Sequence, residues 1–305
     1  MSTEVKATIS HIEREIRRQP ESWRRADELG RTVAGLPQPG ERVAVIGCGT
    51  SWFMAAAYAS LRESLGHGET DPFAASEFPA GRSYDRVVAI SRSGTTTEVV
   101  RAIEVSAVPV TVITALPDSP VAVAADETIL LDFADEESVV QTLFATTALM
   151  LLRGGLGLPA EALIAEATGV LNGASALPAG VAEASQITFL GQGWAYGLAL
   201  EAGLKLREAA QLWTESYLQM EYRHGPIAIA EPGRVVWILG RPVEGICADV
   251  RVTGALLVDD DLDPLVDLIR AQLLALQLAS RSGLDPDRPR QLTRSVMLVE
   301  ADRTA

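Results

Sequence analysis

The feature that most constrains this chain is a repeated unit: a short apolar strand, a Gly- or Ser-rich turn, then a helix. RVAVIGCG (42–49) is an apolar, β-branched run ending in Gly-Cys-Gly, and TSWFMAAAYASLRESLG follows as a helix from Thr50 or Ser51. A run apolar at every position suits a strand covered on both faces, as in a parallel sheet. RVVAISRSGTTTEVVRAIEV (86–105) repeats the plan, VPVTVITAL (108–116) predicts a third strand and ETILLDF (127–133) a fourth. Residues 138–152 predict an apolar helix. The plan restarts near residue 186 with QITFLGQGWAYGLALEAGLKLREAA, then RVVWILGRP (234–242), a short strand in GALLVDD (254–260), a long helix in PLVDLIRAQLLALQLASRSG and SVMLVE (295–300) as a strand or extended tail. Residues 3–33 predict a helix interrupted near Pro20. Strands alternating with helices indicate an α/β fold with mostly parallel sheets, here in two similar halves.

Composition narrows the function. The 305 residues suggest about two domains. Twenty-six basic against forty acidic residues give a net charge of −14, which repels nucleic acid and anionic membrane surfaces. Only Lys6 and Lys205 are lysines, so an amine nucleophile has two possible sources. Two cysteines, Cys48 and Cys247, are too few for a disulfide scaffold, and a cytoplasmic setting is the expectation. The N-terminus has no apolar signal core, and no apolar run reaches the roughly 18 residues of a membrane span.

Three motifs carry chemistry. The turns GCGTS (47–51) and SRSGTT (91–96) each follow a buried strand and open a helix, a place where backbone N–H groups and Ser/Thr hydroxyls meet an anion. Ser91, Ser93 and Thr96 are suited to wrap a phosphate, although Ser and Thr also cap ordinary helices. Glu201, Lys205 and Glu208 share one face of an apolar helix, where charges are costly unless paired or used. His224, in EYRHGP, is placed to move a proton. GCGTSW lacks the third glycine of a dinucleotide fingerprint, and the Walker, HExxH and GxSxG patterns are absent, so no cofactor or metal is expected.

Together GCGTS, ISRSGTT, ALEAGLKLREAAQLWTESYLQMEYRHGP and DRPRQLTRSVMLVE resemble the SIS, or sugar isomerase, family. The resemblance is to the isomerase half of glucosamine-6-phosphate synthase and to stand-alone deglycases and deaminases. It implies a helical arm (1–35) and two SIS subdomains (36–160 and 161–305), each a flavodoxin-like parallel sheet flanked by helices. It implies a sugar phosphate held by Thr50, Ser51, Ser91, Arg92, Ser93 and Thr96, with Val139 and Gln141 on the sugar. Arg92 stands where the synthase has glutamine, so its backbone N–H is expected to serve. Glu208 matches the base that moves a proton between C1 and C2. His224 matches a residue that assists ring opening from the neighbouring subunit, which implies a homodimer. Arg294 occupies the position of the synthase's imine-forming lysine, and a guanidinium cannot make that imine. Glutamine hydrolysis is not expected. The expectation is an aldose–ketose isomerase or deaminase/deglycase acting on an amino-sugar phosphate. The alternative is a non-catalytic sugar-phosphate sensor.

Overall fold

The structure, a computed structural model, describes residues 9–298; Lys6 and residues 299–300 of the final apolar run lie outside them. Among the described residues nine strands form two parallel sheets. The first takes β1 (Val43–Gly47), β2 (Thr70–Ala74), β3 (Arg86–Ile90), β4 (Val110–Thr114) and β5 (Glu127–Leu130) in the order β2-β1-β3-β4-β5. The second takes β6 (Gln186–Gly191), β7 (Thr214–Leu218), β8 (Arg234–Ile238) and β9 (Leu256–Val258) in the order β7-β6-β8-β9. The helices are α1 (His11–Gly30), α2 (Thr50–Ser64), α3 (Thr97–Glu104), α4 (Pro120–Ala124), α5 (Leu143–Gly155), α6 (Glu161–Leu171), α7 (Ala195–Ala210), α8 (Gln219–Tyr222), α9 (Ile246–Thr253) and α10 (Pro264–Arg281).

Both sheets place their first strand second from one edge, so the chain reverses its winding between β1 and β3 and again between β6 and β8. This is the flavodoxin-like order, and the crevice at each reversal is where an open α/β sheet accepts a ligand.

One hydrophobic core spans both halves, drawing Trp23 from α1, Met54 from α2, Phe144 from α5, Leu198 from α7, Trp237 from β8 and Leu268 from α10. Smaller cores lie on the outer face of each sheet. The halves join where α2 meets α7. A β-carbon at Gly197 would sit 2.4 Å from the Phe53 carbonyl oxygen, so only glycine allows the backbones to approach this closely. Gly197 faces Phe53 while Lys205 reaches Thr50, so the two helices run antiparallel. The charged half of α7 is thereby laid across the N-terminus of α2.

Four local expectations change, one of them the helix expected over 138–152, which begins only at Leu143 and leaves 138–142 as loop. Pro20 does not interrupt α1, which runs through it. The proline removes the N–H that would bond the Ile16 carbonyl, and the Gln19 side chain donates to that carbonyl instead at 3.2 Å. Strands β2 and β7 were not expected at all. Each is the edge strand beside the first strand of its sheet, and their sequences, TDPFA and TESYL, are polar and mostly half-buried. An edge strand tolerates proline and polar residues, so hydrophobic pattern does not reveal it. Residues 295–298 form no strand; they run as a strap over the start of α3, where Thr97 N–H donates to the Val296 carbonyl at 3.2 Å.

Candidate active site

The crevice between β1 and β3 gathers most of the residues singled out from sequence. Thr50 and Ser51 open α2 directly after β1, and both are buried. Ser91, Arg92 and Ser93 follow β3 and are buried too, while Thr96 is half-buried at the start of α3. Gly94 turns the chain with φ +63°, and a β-carbon there would meet Ser119 Oγ at 2.1 Å, so the turn demands glycine for conformation and for space. Thr95 donates to Ser93 Oγ from both its N–H (3.3 Å) and its hydroxyl (3.1 Å). Hydroxyls and helix-start amides, rather than a basic patch, dominate the surface this turn presents.

Helix α7 closes the crevice from the other half. Lys205 is 1% exposed and touches three oxygens: Thr50 Oγ1 at 3.1 Å, Glu201 Oε1 at 3.2 Å and Glu208 Oε2 at 2.6 Å. Burial pulls the ammonium's pKa down, but the two carboxylates more than offset that and raise it overall. Lys205 therefore serves as a fixed cation and not as the free amine that its rarity suggested. Burial pushes the Glu201 carboxyl up to about 7, against the pull of Lys205. Glu208 is the member of the trio that keeps some exposure. It lines a groove of about 580 Å³ with Leu204, Arg207, Leu212, Trp213 and Gln291.

The third wall is the loop 135–142, which carries the half-buried Val139 and Gln141. Glu15 of α1 pins it, accepting from the N–H of Glu137 (2.6 Å), the N–H of Ser138 (3.2 Å) and the Ser138 hydroxyl. Glu136 accepts from the N–H groups of Thr142 (2.6 Å) and Leu143 (2.7 Å), capping α5 from inside the core. Its Oε2 and the Oε1 of Gln141 are buried without a hydrogen-bond partner.

The fourth wall is the tail. The Arg294 guanidinium pairs with Asp135, and Ser295 Oγ lies 2.9 Å from Thr95 Oγ1. Arg294 thus reaches the rim of the crevice, but its charge is spent on Asp135.

The crevice between β6 and β8 repeats the geometry with different side chains. Trp194 takes the position of Thr50, and Leu239-Gly240-Arg241 take those of Ser91-Arg92-Ser93. On α2 the positions matching Lys205 and Glu208 are Leu61 and Ser64. The fold is duplicated, and only the first crevice has the Ser/Thr turns and the Lys205–Glu208 pair; the second is lined by Gln192, Trp194, Arg241, Asp261 and Asp263 instead.

The family profile described as "SIS domain" matches residues 38–153, the segment that holds the whole first sheet and both Ser/Thr turns. The chain carries a SIS domain. It is homologous to glutamine–fructose-6-phosphate aminotransferase [isomerizing] of Methanothermobacter thermautotrophicus, with 29% identity over 84% of this chain and 51% of that protein. The chain spans about half the length of the curated relatives it matches. Among solved structures, glucosamine-6-phosphate deaminase of Thermotoga maritima superposes with a TM-score of 0.78 at 23% identity, covering 95% of this chain and 100% of that one. Tagatose-6-phosphate ketose/aldose isomerase of Escherichia coli superposes with a TM-score of 0.74 at 18% identity, covering 94% and 98%. The SIS fold of phosphosugar isomerases and deaminases therefore extends past the profile match, over both sheets.

Of the residues expected to act, the SIS crevice brings together Thr50, Ser51, Ser91, Arg92, Ser93, Thr96, Lys205, Glu208 and the rim residue Arg294. His224 is the exception. It is exposed beyond α8, and among the described residues no hydrogen bond or ion pair joins its ring to the cluster. Sequence reasoning missed Glu15, Asp135 and Ser295, because each acts through a partner far away in sequence, and Glu136, whose contact with Arg92 spans two segments.

Proposed function

We propose that this protein is a sugar-phosphate isomerase or deaminase/deglycase acting on an amino-sugar phosphate. The observation that carries the reading is the placement of the Glu208 carboxylate. Lys205 holds it beside Thr50, at a crevice whose opposite wall is the Ser91–Thr96 turn. In this reading the turn and the start of α2 hold the phosphate through neutral donors, which suits a chain of −14 overall charge. Glu208 takes a proton from one of two adjacent carbons of the open-chain sugar and returns it to the other through an enediol or enolamine. Lys205 orients the carboxylate through a 2.6 Å contact with its Oε2. Arg294 cannot form an imine with the ketose, so the amine is assigned to the substrate.

Purified protein incubated with a panel of hexosamine 6-phosphates and fructosamine 6-phosphates is expected to convert at least one of them. The same compounds are expected to raise its melting temperature in proportion to occupancy. Stabilisation without turnover across the panel would replace the enzyme by a sugar-phosphate sensor. Neither effect would end both readings.

The site is read as completed by a second copy of the chain. Trp213 is 72% exposed at the start of edge strand β7, and Leu218 and Met220 are uncovered at its end, within a few residues of His224 in the chain. Uncovered large apolar side chains along an unpaired sheet edge fit an isologous interface. Glu208→Gln and His224→Ala chains, each inactive alone, are expected to regain activity when unfolded together and refolded as a mixture. A mixture that stays inactive would remove His224 from the partner's site.

A further inference from the structure

Three irregular segments form the crevice: the turn 91–97, the loop 135–142 and the tail 294–298. None has a strand ladder of its own to hold it against the others. Their junction is one side chain. Arg92 is 2% exposed, and its guanidinium donates from Nη1 to the Ser138 carbonyl at 2.9 Å and from Nη2 to the Arg294 carbonyl at 2.8 Å. The Glu136 carboxylate lies 3.8 Å from Nη1, and Asp135 holds the guanidinium of Arg294. Arg92, Glu136, Asp135 and Arg294 thus form a compact cluster of alternating sign, with Glu15 on the far side of Ser138.

We infer that Arg92 is a positioning residue: its buried guanidinium seats the loop carrying Val139 and Gln141, and the tail carrying Arg294, on the turn that holds phosphate. This rests on the reading of that turn as the phosphate cradle. Both Nη groups are committed to carbonyls, so phosphate falls to the backbone and hydroxyls of the turn, as expected for a position where the synthase has glutamine. Arginine is needed because its planar fork reaches two carbonyls on different segments from two separate nitrogens while placing charge opposite Glu136. Glutamine is shorter and neutral; lysine keeps the charge but has a single donor atom. Losing the fork leaves two carbonyls without their donor and Glu136 without its counter-charge, which is costly at buried sites.

The test compares the wild-type chain with Arg92→Gln and Arg92→Lys. Trypsin cleavage after Arg294, followed by mass spectrometry without ligand, is expected to accelerate about tenfold or more in Arg92→Gln and less in Arg92→Lys. Affinity for inorganic phosphate is expected to stay within about threefold. KM for the sugar phosphate is expected to rise about tenfold with a smaller change in kcat, because unseated sugar contacts weaken binding. Should Arg92→Gln not fold, Arg92→Lys alone decides the cleavage comparison. Unchanged cleavage in a folded variant overturns the inference. So does loss of phosphate affinity in step with faster cleavage, since Arg92 would then be a phosphate ligand. If the wild-type chain fails to bind phosphate, the cradle reading fails on its own, while ligand-free cleavage still decides whether Arg92 seats the tail.

Discussion

Glu208→Gln is expected to lower turnover of the sugar phosphate by about 10²–10⁴-fold, the range for removing a positioned proton-transfer group. The amide keeps the size and polarity of the side chain, so the groove is preserved, but it cannot accept the carbon-bound proton. Because the proposed phosphate cradle is a different wall, KM and the affinity for inorganic phosphate are expected to change little. The fold is expected to survive, since Lys205 retains Glu201 at 3.2 Å and Thr50 at 3.1 Å. Steady-state kinetics with the active member of the substrate panel, read beside a thermal melt, make the check. A folded variant retaining activity within about threefold would take proton transfer away from Glu208.

Lys205→Met has the largest expected effect on stability. The methionine chain fills the space but removes the one cation between two carboxylates, one of them fully buried. Breaking a buried pair by deleting one partner costs about 3–5 kcal/mol. The cost depends on pH. In the folded protein Glu201 already titrates at about 7, against an ordinary value of 4.5, because burial disfavours its charge. A carboxyl raised in this way favours the fold below its unfolded value and gives up that contribution as pH climbs through its folded value. Without Lys205 the folded value moves higher still, so at pH 5 Glu201 is neutral and the loss is partly avoided. Urea unfolding at pH 5 and pH 8 is therefore expected to show the larger deficit at pH 8. Equal deficits, or a larger one at pH 5, would show that Lys205 does not compensate Glu201.

Much of the fold was legible because hydrophobic pattern reports burial. VAVIG, RVVAI and VTVIT are apolar runs, and they are the central strands of the first sheet. The edge strands β2 and β7 were missed for the converse reason: half-exposed strands carry Thr, Asp, Glu, Ser and Pro, which read as turns. Pro20 misled in another way. Its usual consequence is a break, and only a side chain one residue earlier, folded back on the Ile16 carbonyl, removes that consequence.

The site divides along a similar line. The turns 47–51 and 91–96 were legible because a strand, a glycine and a hydroxyl in fixed order form a local structure. The Glu201-Lys205-Glu208 face was legible from helical spacing, but its meaning was not. Lysine rarity suggested an available amine, whereas the packing of α7 against α2 makes Lys205 a saturated, permanently charged strut. Glu15, Glu136 and Asp135 left no mark in the pattern, since each is defined by a partner on another segment.

The sequence by itself determined the α/β class, the duplicated plan, the Ser/Thr-rich turns and the charged face of α7, because each depends on neighbours within a few residues. The tertiary structure decided which crevice brings the Ser/Thr turns to the charged face of α7, what Lys205 touches, and how Arg92 joins the loop to the tail. The physical reason is that a buried charge takes its state from whatever surrounds it. For Lys205 and Arg92 those surroundings are assembled from segments up to two hundred residues apart in the chain.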